Sequence, residues 1–434
     1  MDFIVALLIL FVAARIAGEA MEQIRQSPMI GEVLAGIVLG PTVLGLVDPN
    51  PLAEPGASLS VVAQLGVLVL VLLAGLELGR EGLQRAFRER SMLVAMVAFF
   101  LPFALGYSLA LALGMSFPQS LFLGTALAVT ALPVSVRILM DLSLLHSRIG
   151  RAIVSVALVD DLVAFAMLGL ILEFARLDSV APDMATVAFV VGKSLTFLAL
   201  VFSVSVLLKM TMRSAPDGSS HMQRLLAKLR GQESGFALGI ILALALGAAA
   251  EILGIHFAVG VFYGGLLVTP KLIGAAQFVK IRSAVSVVTF GLLAPIFFGF
   301  VGLNFTLSFG SWPLIIAITV IAFFGKLFGG VLGGLFVGFR GARLLALGVG
   351  LNARGMMELL LAQVALAAGI IDAGLYSALV VMTLVTTLTT PPLLRRLLGR
   401  FRADDILPTV VPTSSELVVR SGADETPFLD LSER

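Results

Sequence analysis

The sequence predicts an all-α polytopic membrane protein of about thirteen transmembrane helices, built as an inverted repeat in which two helices are broken. Three observations predict it. The 434 residues are 59% hydrophobic and only 13% charged, with a mean hydropathy of +1.07, whereas a soluble protein of this length carries roughly 25% charged residues. The apolar residues fall into long segments separated by short polar connections. The basic residues in those connections alternate from one side to the other.

The thirteen segments cover residues 2–17, 28–47, 58–79, 91–113, 117–142, 148–174, 185–208, 234–254, 255–269, 280–304, 312–337, 341–369 and 371–397. Several contain Gly and Pro, which membrane helices tolerate. Alternate connections, with the stretch that follows the last segment, hold 22 basic residues, from Arg15 and Arg25 to Arg400 and Arg402. The intervening connections hold only Arg176. The positive-inside rule then puts the N-terminus outside and the C-terminus in the cytoplasm of an inner or plasma membrane.

The N-terminal stretch "MDFIVALLILFVAARIAG" has no basic n-region and no small-residue cleavage site, so it reads as a retained helix. The chain has no cysteine, which excludes disulfides and thiolate metal sites. Its three histidines lack the spacing of a zinc site. There is no Walker motif and no nucleotide-binding domain after the membrane part, so ATP is not expected to drive this chain. No cofactor, enzymatic activity or nucleic-acid partner is expected. Residues 403–434 form a polar, net acidic tail that reads as disordered.

Charges near segment ends have an inexpensive explanation. Glu32, Glu77, Arg137, Asp141, Glu251 and Lys193 lie near expected interfaces, where snorkelling or local pairing suffices. Asp160 and Asp161, in "VALVDDLVAF", lie at the middle of the sixth segment. Lys326, in "FFGKLFGGVLGG", lies at the middle of the eleventh. Arg354 is at the middle of the twelfth, with Glu358 one turn later. An ionised group at mid-membrane costs at least about 2.5 kcal/mol, and such groups face a partner or a water-filled cavity. Arg354 and Glu358 pair within one helix as readily as they serve transport. Adjacent helical residues point about 100° apart, so one aspartate can face a lysine while the other faces a cavity. Two carboxylates this close repel, and a nearby ammonium opposes that effect. The result is a group able to exchange H⁺ for a small cation, and carboxylate oxygens are hard ligands suited to Na⁺, Li⁺ or K⁺.

Two segments look interrupted. Pro133, in "TALPVSVRIL", removes a backbone donor and clashes with the carbonyl of Val129, and Thr130 offers a hydroxyl beside it; the proline alone reads as a simple kink, and an interruption is the alternative. Gly348, Gly350, Asn352 and Gly355 cluster in the twelfth segment. The fifth and twelfth segments are seven apart, and an odd offset reverses orientation in the membrane. That is the pattern of an inverted repeat with a transport site at its centre. Glycines around Lys326 (Gly325, Gly329, Gly330, Gly333, Gly334) allow close helix approach.

These residues together resemble the second branch of the monovalent cation:proton antiporter superfamily, the Na⁺/H⁺ and K⁺/H⁺ exchangers. The resemblance covers about residues 1–397. It is carried by "PMIGEVLAGIVLGPTVLG", "TALPVSVRIL", "VDDLV", "FGKLFGG" and "LNARGMMELLLA", the last also similar to plant cation/H⁺ exchangers. The resemblance implies the sodium/proton antiporter-like fold with its two broken helices crossing. It also implies a homodimer. Residues 1–79 and 234–304 would form the scaffold and dimer domain, 185–208 a linker helix, and 91–174 and 312–397 a moving ion-transport core.

By motif position Asp161 would carry the cation or proton, and Asp160 would pair with Lys326. Thr130, Pro133, Asn352 and Arg354 would lie at the crossing, with Glu358 in support. Asp161, Asp160 and Thr130 would be the monovalent-cation ligands. The Asp-Asp pair with the lysine is associated in that family with electrogenic exchange of two protons per cation. The function so implied is Na⁺(Li⁺)/H⁺ antiport by alternating access. A K⁺/H⁺ antiporter is the first alternative, and a channel using the same carboxylates is another. An intramembrane aspartyl protease would need its two aspartates to converge from separate helices, which neighbours on one helix do not.

Overall fold

A computed structural model describes residues 3–49, 59–88, 91–131, 135–136, 138–139, 144, 147–176, 184–211, 234–306 and 312–398. Helices account for nearly all of them, and there is no strand among the described residues. The elements are α1 (Phe3–Gln23), α2 (Pro28–Leu39), α3 (Leu59–Arg88), α4 (Ser91–Ala112), α5 (Phe117–Ala128), α6 (Arg148–Arg176), α7 (Met184–Thr211) and α8 (Ser234–Ile252). They continue with α9 (Phe257–Leu267), α10 (Pro270–Ile273), α11 (Ala275–Val288), a π-turn (Thr289–Leu293), α12 (Ala294–Leu303), α13 (Trp312–Phe336), α14 (Ala342–Gly350), α15 (Met356–Ala367) and α16 (Ala373–Leu398). Among the described residues, eight helical stretches are long and apolar enough to cross a membrane, and four shorter apolar helices accompany them. The chain is an all-α polytopic membrane protein.

Local chemistry sets several boundaries. The division between the eighth and ninth expected segments is a turn at Gly254, whose φ of 81° favours a residue without Cβ. The tenth segment starts earlier than its hydropathy suggests, at Ala275, and runs through the π-turn into α12, which Pro295 helps to begin. The twelfth expected segment is two helices, α14 and α15, separated by the non-helical residues 351–355. The fifth stops being helical at Ala128, where Val129 is extended (φ −71°, ψ 144°). Pro133, Arg137, Asp141 and the tail 403–434 lie outside the described residues.

Helix packing falls into two sets. In one, α1 packs on α2 and α12, α12 on α2 and α3, and α3 on α9, which packs on α8. In the other, α13 packs on α4, α14 and α16, and α6 packs on α4 and α5. Small residues allow these approaches. A Cβ on Gly36 would stand 2.0 Å from the carbonyl oxygen of Gly299, and one on Gly302 would stand 2.2 Å from that of Val33. In the second set α13 offers two glycine faces. Cβ atoms on Gly329 and Gly333 would lie 3.0 and 2.9 Å from the Cα atoms of Ala98 and Val94 on α4, and one on Gly330 would lie 2.7 Å from Gly348 Cα on α14. Lys326 is thereby brought against the end of α5 and against α6. Close helix–helix contact of this kind drives association where lipid removes the hydrophobic difference.

Two charges stand elsewhere than interface snorkelling implies. Glu32 is buried in the second turn of α2, against Gly18 of α1. Lys193 is held in an ion pair with the buried Glu173 of α6 and lies 4.8 Å from the Phe189 ring centroid. Hydropathy places a charge along a helix but does not say which neighbour covers it.

Candidate functional site

The site forms where the two interrupted helices meet. The backbone N–H of Ala131, in the first interruption, donates to the carbonyl of Ala353, in the second, at 3.0 Å. Thr130 Oγ1 donates to the carbonyl of Leu351 at 3.0 Å. The interruptions therefore cross in contact and satisfy part of each other's backbone. Both are fully buried at Thr130, Asn352 and Arg354.

A helix that ends inside a membrane protein leaves its last carbonyls without partners. The end of α5 resolves this with cations from other elements. Thr125 O accepts from its own chain, at Val129 N. Ala126 O accepts from Arg354 Nη1 at 2.7 Å, and Leu127 O from Arg354 Nη2 at 2.5 Å. Ala128 O accepts from Lys326 Nζ. A helix C-terminus carries partial negative charge, so two cations there are favourable beyond their hydrogen bonds. Thr387 Oγ1 of α16 donates to the carbonyl of Arg354 at 2.8 Å and anchors the second interruption from behind. Asn352 Nδ2 donates to Gly348 O at 3.2 Å, within its own segment of the crossing, and its Oδ1 meets no donor among the described residues.

The cations are also paired. Lys326 Nζ donates to Asp160 Oδ2 at 2.7 Å, with both side chains fully buried. Arg354 Nη1 donates to Glu358 Oε1 at 3.0 Å, one turn along α15, again in full burial. Of the two readings the sequence left open for Arg354, the pairing with Glu358 is present, although Arg354 lies in the interruption and only Glu358 in α15; also present is a connection that sequence reasoning missed, the capping of α5. A backbone carbonyl has no signature in a sequence, so nothing there pointed to it.

Among the described residues, the crossing brings together the cations Lys326 and Arg354 and the carboxylates Asp160, Asp161 and Glu358. Asp161 is the carboxylate without an ion-pair partner among the described residues. It is 4% exposed against 0% for Asp160, and its Oδ1 is buried and meets no donor among the described residues. The angular offset of neighbouring helical residues separates them: Asp160 turns to Lys326, and Asp161 turns away from it. An uncompensated carboxylate in this setting is costly unless a proton or a cation neutralises it. Thr130, Asp160, Asp161, Lys326, Asn352, Arg354 and Glu358 are brought to one region, and Pro133 lies outside the described residues.

Interrupted helices that cross at buried carboxylates, one of them without a counter-charge, are the architecture of membrane carriers that exchange small ions. The chain belongs to the transmembrane sodium/hydrogen exchanger family, whose sequence pattern matches residues 5–397. It is 28% identical over 401 residues to the Na⁺/H⁺-K⁺ antiporter GerN of Bacillus cereus, covering 92% of this chain and 97% of that one. It is 26% identical over 404 residues to a Na⁺/H⁺ antiporter of Enterococcus hirae, covering 91% and 98%. Its fold matches that of the sodium proton antiporter MjNhaP1 from Methanocaldococcus jannaschii with a TM-score of 0.62, at 15% identity, over 91% of this chain and 97% of that one. Membership places the chain among cation/proton antiporters.

Proposed function

We propose that the chain exchanges Na⁺ or Li⁺ for H⁺ by alternating access, with Asp161 as the group that holds either ion. The observation that carries this reading is the charge balance of the crossing. Lys326 and Arg354 each have a carboxylate, and Asp161 is left over. A single carboxylate that accepts a proton or an alkali ion, but not both, couples the two fluxes through competition alone. Carboxylate, hydroxyl and carbonyl oxygens around it suit a hard monovalent cation, with Asp160 and Thr130 as the neighbours that complete its shell.

The set holding α4–α6 and α13–α16 would be the moving core, the set holding α1–α3 and α8–α12 the scaffold and dimer surface, and α7 the linker. A homodimer, an outer N-terminus and a cytoplasmic C-terminus in an inner or plasma membrane complete the reading. The basic connections support that orientation. Lys326 and Asp160 would make exchange electrogenic, because deprotonation of that pair releases a second proton in each cycle. K⁺/H⁺ exchange is the second reading, supported by the name of GerN, which pairs Na⁺ with K⁺.

The test is reconstitution of the full chain in liposomes with an internal pH dye. Na⁺, Li⁺, K⁺ and Rb⁺ are added in turn. Proton efflux driven by Na⁺ and Li⁺ and lost in Asp161→Asn is the expected outcome. Undiminished exchange in Asp161→Asn overturns the carrier role, and a response to K⁺ alone overturns the sodium reading.

A further inference from the structure

Several side chains that join the two sets of helices gather at the end of the molecule opposite the basic connections. Tyr376, in the first turn of α16, is fully buried. Its hydroxyl donates to the carbonyl of Val301, in the last turn of α12, at 2.9 Å, and lies 2.9 Å from Gln363 Oε1 of α15. One hydroxyl carries one proton. With the Gln363 amide turned round, its NH₂ donates to the tyrosine oxygen and all three groups are satisfied. Asn304 N and Phe305 N close on Phe300 O and Gly302 O. Val301 O, between them, is one of the carbonyls that a helix end leaves without an internal partner. Next to Tyr376, Ser377 Oγ accepts from the backbone N–H of Thr306 at 3.0 Å.

A second joint has the same construction. Arg176, the last residue of α6, donates from Nη1 to the carbonyl of Gly254 at 2.7 Å, in the turn between α8 and α9. A Cβ on Gly254 would stand 2.9 Å from Glu173 Oε2 and 3.2 Å from Lys193 Nζ, so that turn seats directly against the Glu173–Lys193 ion pair. In both joints a side chain of the set that holds Asp161 caps a carbonyl of the other set. Both lie at helix ends that alternation places on the outer side.

We propose that Tyr376 and Arg176 are positioning residues of the transport cycle, forming an outer latch that joins the two sets and sets how often the Asp161 site opens outward. The proposal rests on the antiport and orientation readings above. Opening the outer side separates α16 from α12 and α6 from the α8–α9 turn, which breaks both joints. Opening the inner side can leave them intact. A contact made in one state and lost in the other shifts the balance between the two by its own free energy and no more. Water entering an outer cleft would solvate the freed carbonyls, so the joints act as a latch that thermal motion can undo.

The natural absence of cysteine makes the test direct. Val380 is fully buried, one turn deeper than Tyr376 on the same face of α16. In the full chain carrying Val380→Cys, reconstituted in liposomes, a membrane-impermeant maleimide is applied from each face. Apparent KM for Na⁺ is measured on each face in parallel. Tyr376→Phe keeps the ring and removes the hydroxyl. It is expected to speed labelling from the outer face severalfold without a matching rise from the inner face. It should also lower the outer KM and raise the inner one. Arg176→Gln should shift both readouts the same way, and Arg176→Lys, which keeps a donor, should restore them. A merely structural role would instead raise labelling from both faces equally, or lower kcat at a constant KM ratio. Either result overturns the latch, as do unchanged labelling and KM values in Tyr376→Phe and Arg176→Gln. Failure of the antiport reading is separately visible as exchange that survives Asp161→Asn, a measurement the labelling does not depend on.

Discussion

Arg354 leaves the interruption of one membrane helix and caps the severed end of the other, donating to Leu127 O and Ala126 O across 227 and 228 residues of sequence. The same guanidinium holds Glu358. One side chain thus satisfies two orphan carbonyls and a buried carboxylate. A planar fork of donors does this where an ammonium could not.

Arg354→Gln should therefore destabilise the fold strongly. It strands Glu358 as a buried charge and frees two carbonyls, and removing one partner of a buried pair costs about 3–5 kcal/mol. Arg354→Lys keeps the charge but offers a compact point donor, and should fall between. Thermal unfolding in detergent measures both. The double variant Arg354→Gln with Glu358→Gln should lose less than the two single losses added together, because contacting residues are not additive. Strict additivity would show that the pair is energetically independent.

Lys326→Ala should remove the voltage dependence of exchange or move its pH profile. Without the ammonium, Asp160 becomes a buried carboxylate with no cation, and it is favoured to stay protonated through the cycle. The cycle then moves one fewer charge. Transport rate against imposed membrane potential checks this. An unaltered voltage response with an unaltered pH profile removes the ion pair from the mechanism.

Thr130→Val separates crossing from coordination. The swap keeps shape and deletes the hydroxyl that donates to Leu351 O. Loss of that hydrogen bond should cost about 1 kcal/mol of stability. A rise in apparent KM for Na⁺ at unchanged kcat is expected if the hydroxyl also faces the cation. A fall in stability with an unmoved KM confines Thr130 to holding the crossing together.

Gly330→Val should impair transport through packing alone. A Cβ there already meets Gly348 Cα at 2.7 Å, and the added methyls worsen the overlap. Overpacking of this kind costs about 1–3 kcal/mol. The displaced helix is α14, which leads into the second interruption. Reduced kcat with a lower melting temperature is the expected pair of readings. Gly338→Ala serves as control for added bulk, since a Cβ at Gly338 meets nothing within 4 Å. Its φ of 81° makes a small stability loss expected there, without loss of exchange.

Much of the fold was legible in the sequence. Apolar segment lengths marked where helices run. The second interruption was readable because the Gly348–Gly355 cluster breaks helical rules locally, whereas Pro133, which reads by itself as a kink, lies outside the described residues. The buried charges were readable because lipid makes an ion at mid-membrane expensive wherever it occurs. Glu32 was misread as an interface residue for the complementary reason. Near a segment end the same residue can reach water or be covered by a neighbour, and only the neighbour decides.

What the sequence by itself determined is the inventory: an all-helical membrane chain, two segments whose Pro and Gly disturb a helix, and five charged groups (Asp160, Asp161, Lys326, Arg354 and Glu358) that must find partners within the membrane. Only the tertiary structure decided who those partners are. Periodicity and hydropathy act through a residue's own backbone and its near neighbours, and they specify which face is buried. They carry no information about a carbonyl more than two hundred residues away. Ala131 meets Ala353, Arg354 meets Leu127, Tyr376 meets Val301, and Asp161 is left over, because the helices pack through their glycines in one particular arrangement.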